Sequence, residues 1–513
     1  MGDIYSAKRI GKNTLLLYVR MVIIMAVNFY TTRVLLQYLG VEDYGLYNVL
    51  MGVITMFSFI STSMTAATQR FLSYEIGANN NEKLQKVFSA SLYIYITLII
   101  ISIVLFETIG LWYVYNYLNI PEDRFYAAQV VFQLVVIQYV FLTIRIPYNA
   151  AVIAHEKMDF FAYMSIIEAV LALLLIYLLG ILNTDKLVLY AFLLLLSRVF
   201  VTSGYYIYSK RKFQECYLIK FNKIEKPILK EIWSFSGWNI FGSFAVALNG
   251  QGINLLINYF SGVIVNASVG IATQLTNALY GVVGNLQTSF NPQLVKLYAA
   301  KEYSIFYTLL NRNCKICFFL FLLISMPLSI LIKDVLNIWL DRECLYAVEI
   351  CRCLLIYQTI ESLSYPLTIG IQAVGIIKRY QQVSALLFVS IMPVGICMYA
   401  IGASPVMIYV AEVFINIMVL IARMWHLQKV SDFSSRSYFK EVILRTVVVV
   451  LLSLPIPLFV SKLIENLYVR IICVSFLSII IICIMALLFG FTKYERDSIQ
   501  KLLHRLKHKT STK

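Results

Sequence analysis

The sequence predicts an all-α, polytopic membrane protein of about fourteen transmembrane helices. Of its 513 residues, 60% are hydrophobic and only 14% are charged, and the mean hydropathy is +0.77. A soluble domain could not cover so much apolar surface with polar side chains. Apolar runs of about 20 to 30 residues recur along the chain, and each can cross a hydrocarbon core of ~30 Å. Backbone groups in lipid must bond internally, so we expect these runs to be helices.

The predicted spans fall into three groups along the chain. The first six cover 14–39, 46–76, 87–117, 125–153, 159–182 and 187–209. The next six cover 228–260, 269–297, 306–332, 345–377, 382–400 and 406–427, and two more cover 442–460 and 466–490. We therefore predict a six-helix lobe at 1–209, a basic cytoplasmic linker at 210–227, a second six-helix lobe at 228–427, two additional helices at 428–490 and a basic cytoplasmic tail at 491–513. No cleavable signal peptide is expected, because the first apolar run is too long for one.

Lysine and arginine alternate between the two sides of the predicted membrane. One side is rich in both, and it includes Lys210, Arg211, Lys212, Lys220, Lys223, Lys226, Arg423 and Lys429. The other side offers only Arg124, Lys186, Lys333, Arg342 and Lys462. The basic side is predicted to be cytoplasmic, with both termini on it. The net charge of +16 is then a topology signal that also attracts anionic membrane lipids, and no nucleic-acid partner is expected.

An internal repeat is expected, with the two copies about 224 residues apart. The segment Tyr38 to Gly40 aligns with Tyr259 to Ser261, and Thr68 to Arg70 aligns with Pro292 to Leu294. An even number of spans separates the copies, so both should have the same orientation in the membrane. The repeat therefore predicts two lobes related by an axis along the membrane normal.

Three stretches carry a resemblance to a known family. They are TRVLLQYLGVEDYGLY at 32–47, IRIPYNAA at 144–151 with HEKM at 155–158, and GIATQL at 270–275 with NPQL at 291–294. These stretches resemble the polysaccharide (Wzx-type, O-antigen or capsule) flippases of the multidrug/oligosaccharidyl-lipid/polysaccharide exporter superfamily. The resemblance covers most of the chain and is strongest before about Ala300.

The resemblance implies an architecture and a function. It implies two six-helix lobes around a central cavity plus two C-terminal helices, in the bacterial inner membrane. It also implies that undecaprenyl-pyrophosphate-linked oligosaccharide is moved to the outer leaflet by alternating access, for surface polysaccharide biosynthesis. The expected partners are this lipid, membrane lipids and polysaccharide assembly proteins, with a proton or sodium counter-ion as a further candidate.

Polar side chains within the spans predict a cavity that binds an anionic glycan. Charged groups at membrane depth are costly and usually face a cavity or a partner, and guanidinium groups match phosphate oxygens. The arginine candidates are Arg20, Arg70, Arg145, Arg198 and Arg352, with Arg20 and Arg145 the strongest. The uncharged candidates for sugar binding are Gln251, Asn254, Gln274 and Asn277.

Each of these candidates has a competing structural interpretation. Glu168 and Arg198 lie at similar predicted depth and could form a buried pair, and Arg352 could pair with Glu349 at i,i+3. The uncharged residues could instead form hydrogen bonds between helices.

Three carboxylates are candidates for ion coupling, namely Glu361, Glu168 and Glu412. A buried acid can take up and release a proton as its exposure changes. Glu361 could alternatively be permanently ionised and paired with Arg145 or Arg198, in which case it would shape the cavity without carrying protons.

Two other function classes stay open. A cation-coupled multidrug exporter of the same superfamily is the first, although it would be expected to hold membrane acids in excess. A membrane polysaccharide polymerase or glycosyltransferase is the second, but no large loop, nucleotide-binding loop or nucleophile motif is found. No enzyme activity, cofactor or metal site is expected. The nine cysteines, including the CxxC pair Cys314 and Cys317, are interpreted as packing residues.

Overall fold

The computed structural model describes residues 2–55, 58–116, 120, 122–181, 184–217, 225–340, 345–493 and 495–497. Within these residues every regular element is a helix, which confirms the predicted fold class. Ten helices in the described ranges are long and apolar enough to cross a membrane. The predicted spans at 14–39, 46–76, 269–297 and 345–377 are not among the ten, although they too are largely helical. These four spans hold several of the polar residues singled out above.

The helices of the first half are, in chain order, α1 Gly2–Thr55, α2 Ser58–Gly77, α3 Asn81–Leu105, α4 Leu111–Asn116, α5 Phe125–Ala154, α6 Met158–Tyr177, α7 Lys186–Lys212 and α8 Gln214–Tyr217. A π-turn at Phe106–Gly110 joins α3 to α4. Asp185 is the N-cap of α7, and its side chain accepts hydrogen bonds from the N–H groups of Leu187 and Val188. These bonds satisfy N–H groups that have no partner within the helix.

The second half continues with α9 Lys226–Ala299, α10 Tyr303–Leu340, α11 Ala347–Val374, α12 Lys378–Val389, α13 Ile391–Ala400, α14 Val406–Val430, α15 Ser435–Tyr438, α16 Leu444–Ser453, α17 Pro455–Leu463 and α18 Leu467–Met485. The predicted span at 382–400 is divided at Ser390, between α12 and α13. Pro393 accounts for the break, because its nitrogen cannot donate to the carbonyl four residues earlier.

Two glycines divide the longest helices. Gly40 in α1 has φ 77° and ψ 175°, and Gly262 in α9 has φ 79° and ψ 178°. This region of backbone space is essentially open only to glycine. Each long helix is therefore interrupted by a kink at its glycine.

The same backbone geometry recurs along the chain. Gly40 and Gly262 lie 222 residues apart, and so do Asn79 and Lys301, which have φ 52° and 61°. Recurrence of unusual φ angles at one offset supports the internal repeat. It also corrects the register, since Gly40 corresponds to Gly262 and not to Ser261.

The chain packs into two compact units. Unit 1 comprises Met1–Ser243 and Ser289–Lys301, and unit 2 comprises Phe244–Thr288 and Glu302–Lys513. The domain boundaries drawn from the sequence stay a prediction. The linker and the tail fall partly outside the described residues, which omit 218–224 and end at 497.

Unit 1 is held by an apolar core and by ion pairs at its helix ends. Leu50, Val131, Phe132 and Leu187 are fully buried members of that core. At one end, Glu156 accepts bonds from Gln293 Nε2 at 3.1 Å and Lys296 Nζ at 2.6 Å. The end of α9 therefore belongs to this unit.

Unit 2 has its own core, and the C-terminal helices attach to it through α10. Ile257, Ile332, Ile350 and Val419 are fully buried in that core. Arg470 Nη2 lies 2.5 Å from Asp334 Oδ1, and Lys315 Nζ lies 2.5 Å from Glu495 Oε2.

Apolar side chains are also exposed around the helices of both units. Examples are Ile100 at 58%, Phe200 at 59%, Leu451 at 64% and Phe476 at 67%. Exposed apolar surface on this scale needs a hydrocarbon solvent. The distribution is that of membrane-spanning helices, in agreement with the sequence.

Candidate functional site

Three predicted site residues meet in unit 1. Arg145 on α5 and Arg198 on α7 both donate to Glu168 on α6. Arg145 Nη1 lies 2.9 Å from Glu168 Oε2, and Arg198 Nη1 bonds the other carboxylate oxygen. The three side chains are 20% to 29% exposed. The Glu168–Arg198 pair is therefore formed, with Arg145 as a second partner.

Arg20 joins this group without a carboxylate of its own. Its guanidinium carbon lies 4.4 Å from the ring centroid of Phe161. Its Nε is buried and lacks a hydrogen-bond partner among the described residues. Tyr205, which is 3% exposed, lies within electrostatic reach of both Arg20 and Arg145.

We call Arg20, Arg145, Arg198, Glu168 and Tyr205 the arginine cluster. Three guanidinium groups and one carboxylate give it a formal charge of +2. Glu168 already has two cationic partners, which accounts for its position without a role in ion coupling. The remaining positive charge favours an anion, and guanidinium groups bind phosphate or carboxylate oxygens well.

The other two arginine candidates do not join the cluster. Arg70 is 8% exposed, and its guanidinium carbon lies 4.7 Å from the ring of Phe71, 4.9 Å from Tyr74 and 5.4 Å from Phe235. Stacking of this kind is a packing role.

Arg352 is exposed, and its Nε donates to the Ser329 carbonyl oxygen at 3.1 Å. The i,i+3 pair with Glu349 is absent among the ion pairs of the described residues, so that interpretation was wrong. Arg352 bonds the carbonyl oxygen of Ser329 on α10 in place of the Glu349 carboxylate.

In unit 2, Glu361 on α11 is paired with Arg423 on α14. Arg423 Nη1 and Nη2 lie 2.8 and 3.0 Å from the two oxygens of Glu361, and Arg423 also donates to Ser364 Oγ and Tyr380 OH. Glu361 is thus paired, as one of the alternatives predicts, but its partner is Arg423 and not Arg145 or Arg198. The sequence predicts Arg423 on the basic side of the membrane with the loop residues, whereas its side chain is 4% exposed.

Sequence reasoning overlooked Arg423, although a signal was present. Glu412, Asn416, Val419, Arg423 and His426 follow one helical face of α14, and all five are buried. A polar stripe at this spacing predicts a buried face that meets partners on another helix.

Glu412 differs from the other two acids. It is 7% exposed, and Asn249 Nδ2 donates to its Oε1 at 2.9 Å. Within the described part of the chain it forms no salt bridge. It is therefore the coupling candidate that no cation neutralises.

The four uncharged candidates are spread over α9. Gln251 and Gln274 are exposed, and Asn254 is half-buried. Asn277 Oδ1 accepts a bond from Gln358 Nε2 at 3.1 Å. Helix–helix hydrogen bonding thus accounts for Asn277, and the structure gives no described partner to the other three.

The CxxC cysteines lie in the interior of the chain. Cys314 and Cys317 are fully buried, and Cys317 Sγ lies 3.4 Å from Asn313 Oδ1. Among the residues that the structure describes, no group of three or more His, Cys, Asp or Glu side chains could hold a metal ion.

The chain resembles transporters of known structure. The MatE family model matches residues 17–178. An MOP superfamily transporter from Pyrococcus furiosus, described as having a binding pocket of reverse polarity, aligns with a TM-score of 0.65 at 14% identity over 82% of this chain and 95% of its own. An outward-facing multidrug resistance MATE family transporter aligns with a TM-score of 0.66 at 14% identity over 82% and 97%.

The MATE transporter VcmN of Vibrio cholerae, solved as a mutant, gives a TM-score of 0.64 at 15% identity over 85% of this chain and 99% of its own. No curated protein matches this chain. These likenesses show the fold and do not support the Wzx-type subtype in particular. The chain has the fold of the MATE transporters of the MOP superfamily.

Proposed function

We propose that this chain is a membrane transporter that works by alternating access. This proposal is supported by the fold, by the repeated backbone geometry and by the ten helices of the described ranges that are apolar enough to span a membrane. Two repeats in one orientation are typical of transporters whose halves move against each other. We place the chain in the bacterial inner membrane with both termini in the cytoplasm, on the basis of the alternating basic connections.

We propose further that its substrate is an amphipathic anion. The observation that carries this proposal is the formal charge of +2 on the arginine cluster. An undecaprenyl-pyrophosphate-linked oligosaccharide is such a substrate, because its pyrophosphate would meet the guanidinium groups. The polar residues Gln251, Asn254 and Gln274 are suited to hydroxyl-rich sugar.

Cation-coupled multidrug export is the second candidate, and the comparisons support it better than glycan export. Among the similar structures is one described as a multidrug resistance transporter. Glu412 is buried and forms no salt bridge with any residue that the structure describes, and such an acid is the kind of group that a counter-ion needs. We therefore assign ion coupling to Glu412 in preference to Glu361 and Glu168, which already have arginine partners.

An experiment in cells separates the two substrates. If this chain transports the lipid-linked glycan, its depletion should cause that glycan to accumulate on the cytoplasmic face of the membrane. Expression of the Arg20→Ala variant should fail to reverse the accumulation. Arg20→Lys should restore part of the activity, because the charge is kept. Increased drug sensitivity on depletion, with normal glycan export, would instead support the multidrug exporter.

A further inference from the structure

An acid lies on the outer side of unit 1, among side chains that face lipid. Glu107 belongs to the π-turn at Phe106–Gly110, and Gln133 Nε2 on α5 donates to its Oε2 at 3.1 Å. Gln129, one turn before Gln133, donates to the hydroxyl group of Tyr115 on α4 at 2.7 Å. The exposed apolar and aromatic side chains around these four residues include Ile100, Ile109, Trp112, Tyr113 and Tyr126. We call the four polar residues and the exposed side chains around them the lateral face.

Glu107 lies deeper than the charged end of the helices around it. Arg124 immediately precedes α5 and pairs with Asp43 and Asp185, so it marks that end. Gln133, the partner of Glu107, follows Arg124 by nine residues, which is about 13 Å along a helix. The exposed aromatic side chains of the lateral face are closer to the charged end, as is typical of a membrane interface. Glu107 is therefore at the depth of the hydrocarbon, where a charged group is costly unless it has a partner.

The helix that carries Glu107 cannot satisfy its carboxylate. Thr108 Oγ1 and Asn116 Nδ2 each donate to a main-chain carbonyl oxygen four residues earlier, at 2.6 and 2.8 Å. A carboxylate only accepts hydrogen bonds, so these carbonyl groups are of no use to Glu107. The amide of Gln133 supplies one donor. Among the residues that the structure describes, Glu107 Oε1 has no donor and the carboxylate has no cationic partner.

The charge of the lateral face discriminates between possible partners. A two-fold dimer through this face would place the same acidic surface on both sides of the interface, and like charges repel strongly in a medium of low dielectric constant. The amine of a lipid headgroup stays at the membrane surface and does not reach the hydrocarbon. A membrane helix with Arg or Lys at the matching depth would supply both the positive charge and the missing donors.

We propose that the lateral face docks a transmembrane helix of another membrane protein, and that an Arg or Lys of that helix pairs with Glu107. Gln133 orients the carboxylate toward the partner, and the bonded side chains of Gln129 and Tyr115 border the contact on the side of the charged helix ends. The contact involves no residue of the arginine cluster. It therefore stands apart from the proposed function and does not depend on the identity of the substrate.

Synthetic transmembrane peptides test this surface on the full chain in liposomes. Three leucine-rich helices would differ at one position, about 13 Å from one end, which holds Arg, Leu or Glu. Each peptide would carry an acceptor dye for energy transfer from a fluorescent label on the chain. The Arg peptide should bind about tenfold more tightly than the Leu peptide, which is the scale of one polar contact between membrane helices. The Glu peptide should bind no better than the Leu peptide, because its charge has the same sign as that of Glu107.

One variant and one matched control locate the binding. Glu107→Gln keeps an acceptor for Gln133, so it should fold with an unchanged Tm, but it should bind the Arg and Leu peptides equally. Glu122→Gln removes an exposed acid from the short 3₁₀ turn before α5, outside the lateral face. This control should prefer the Arg peptide as the unchanged chain does.

Two results would overturn the proposal. Equal binding of the Arg and Leu peptides by the unchanged chain would show that the lateral face does not recognise a cationic helix, and an undiminished preference in folded Glu107→Gln would place the binding elsewhere. Association of labelled copies of the chain with each other, altered by Glu107→Gln, would also contradict it, because the partner would then be a second copy.

Discussion

At the residue scale, membrane arginines of this chain have different roles despite identical chemistry. Arg145 and Arg198 share Glu168, and Arg423 is bonded by Glu361 and its neighbours. Arg20 lies against the ring of Phe161 and forms no ion pair with the acids that the structure describes. The sequence ranked Arg20 and Arg145 together. Their different partners make Arg20 the cation most available to a ligand.

Replacing Arg20 by Ala should lower transport of an anionic substrate by about 10- to 100-fold, the effect of losing one charged hydrogen bond of roughly 1.5–3 kcal/mol. Stability should change little, because no partner charge is left behind. Arg20→Lys is the matched control and should keep part of the rate. Undiminished transport by Arg20→Ala at equal expression would exclude this role.

Replacing Arg423 by Ala should instead reduce stability. It leaves Glu361 in a partly buried site without its cation, and breaking a buried pair in this way costs about 3–5 kcal/mol. The Tm in detergent should fall markedly, and the double variant Arg423→Leu/Glu361→Leu should recover part of the loss. If Arg423→Ala is as stable as the double variant, the carboxylate of Glu361 without its cation is not the cause of the lost stability, which would contradict this prediction.

At the element scale, two glycines set the path of α1 and α9. An added Cβ would meet nothing within 4 Å at Gly40 or Gly262, so their replacement changes only backbone strain. Gly40→Ala and Gly262→Ala should each destabilise the chain by about 1–3 kcal/mol. Gly45→Ala is the control, because Gly45 is equally uncrowded and has no positive φ. Equal Tm values for all three variants would contradict the strain argument.

The attachment of the C-terminal helices should depend on pH. Burial alone would raise the pKa of Glu495, but Lys315 and the bonds from Thr492 outweigh it and hold that pKa below its ordinary value. A carboxyl group whose pKa is lower in the folded chain than its value of about 4.3 in the unfolded chain stabilises the fold at pH values above about 4.3. This stabilisation is lost as the pH falls through the pKa of the folded chain.

The Tm difference between the unchanged chain and Glu495→Gln should therefore be largest near pH 7 and shrink below about pH 4.3. Glu302→Gln, an exposed acid outside this pair, is the control and should show a small difference throughout. A difference independent of pH would contradict the assigned ion pair.

Several elements could be predicted closely from the sequence. The predicted span 125–153 corresponds to α5 Phe125–Ala154, and 187–209 lies within α7 Lys186–Lys212. Apolar runs with polar ends locate such helices without knowledge of packing. The partner of Glu361 could not be predicted in this way, because Arg423 is 62 residues away and meets it only through the packing of α11 on α14.

At the scale of the whole molecule, the two units repeat backbone geometry but differ in charge. Unit 1 contains the arginine cluster, with its formal charge of +2. Unit 2 contains the Glu361–Arg423 pair, which is neutral overall, and Glu412, an acid bonded by Asn249 that has no cationic partner among the described residues. We propose that unit 1 binds an anionic substrate and unit 2 binds the cation that drives transport.

Transport in proteoliposomes tests this central claim most directly. The purified chain would be offered a fluorescent polyprenyl-pyrophosphate-linked oligosaccharide and, separately, a fluorescent organic cation under an imposed sodium gradient. The account predicts gradient-dependent movement of the anion, loss of that movement in Arg20→Ala, and loss of its sodium dependence in Glu412→Gln. Transport of the organic cation alone, unchanged in Arg20→Ala, would contradict it.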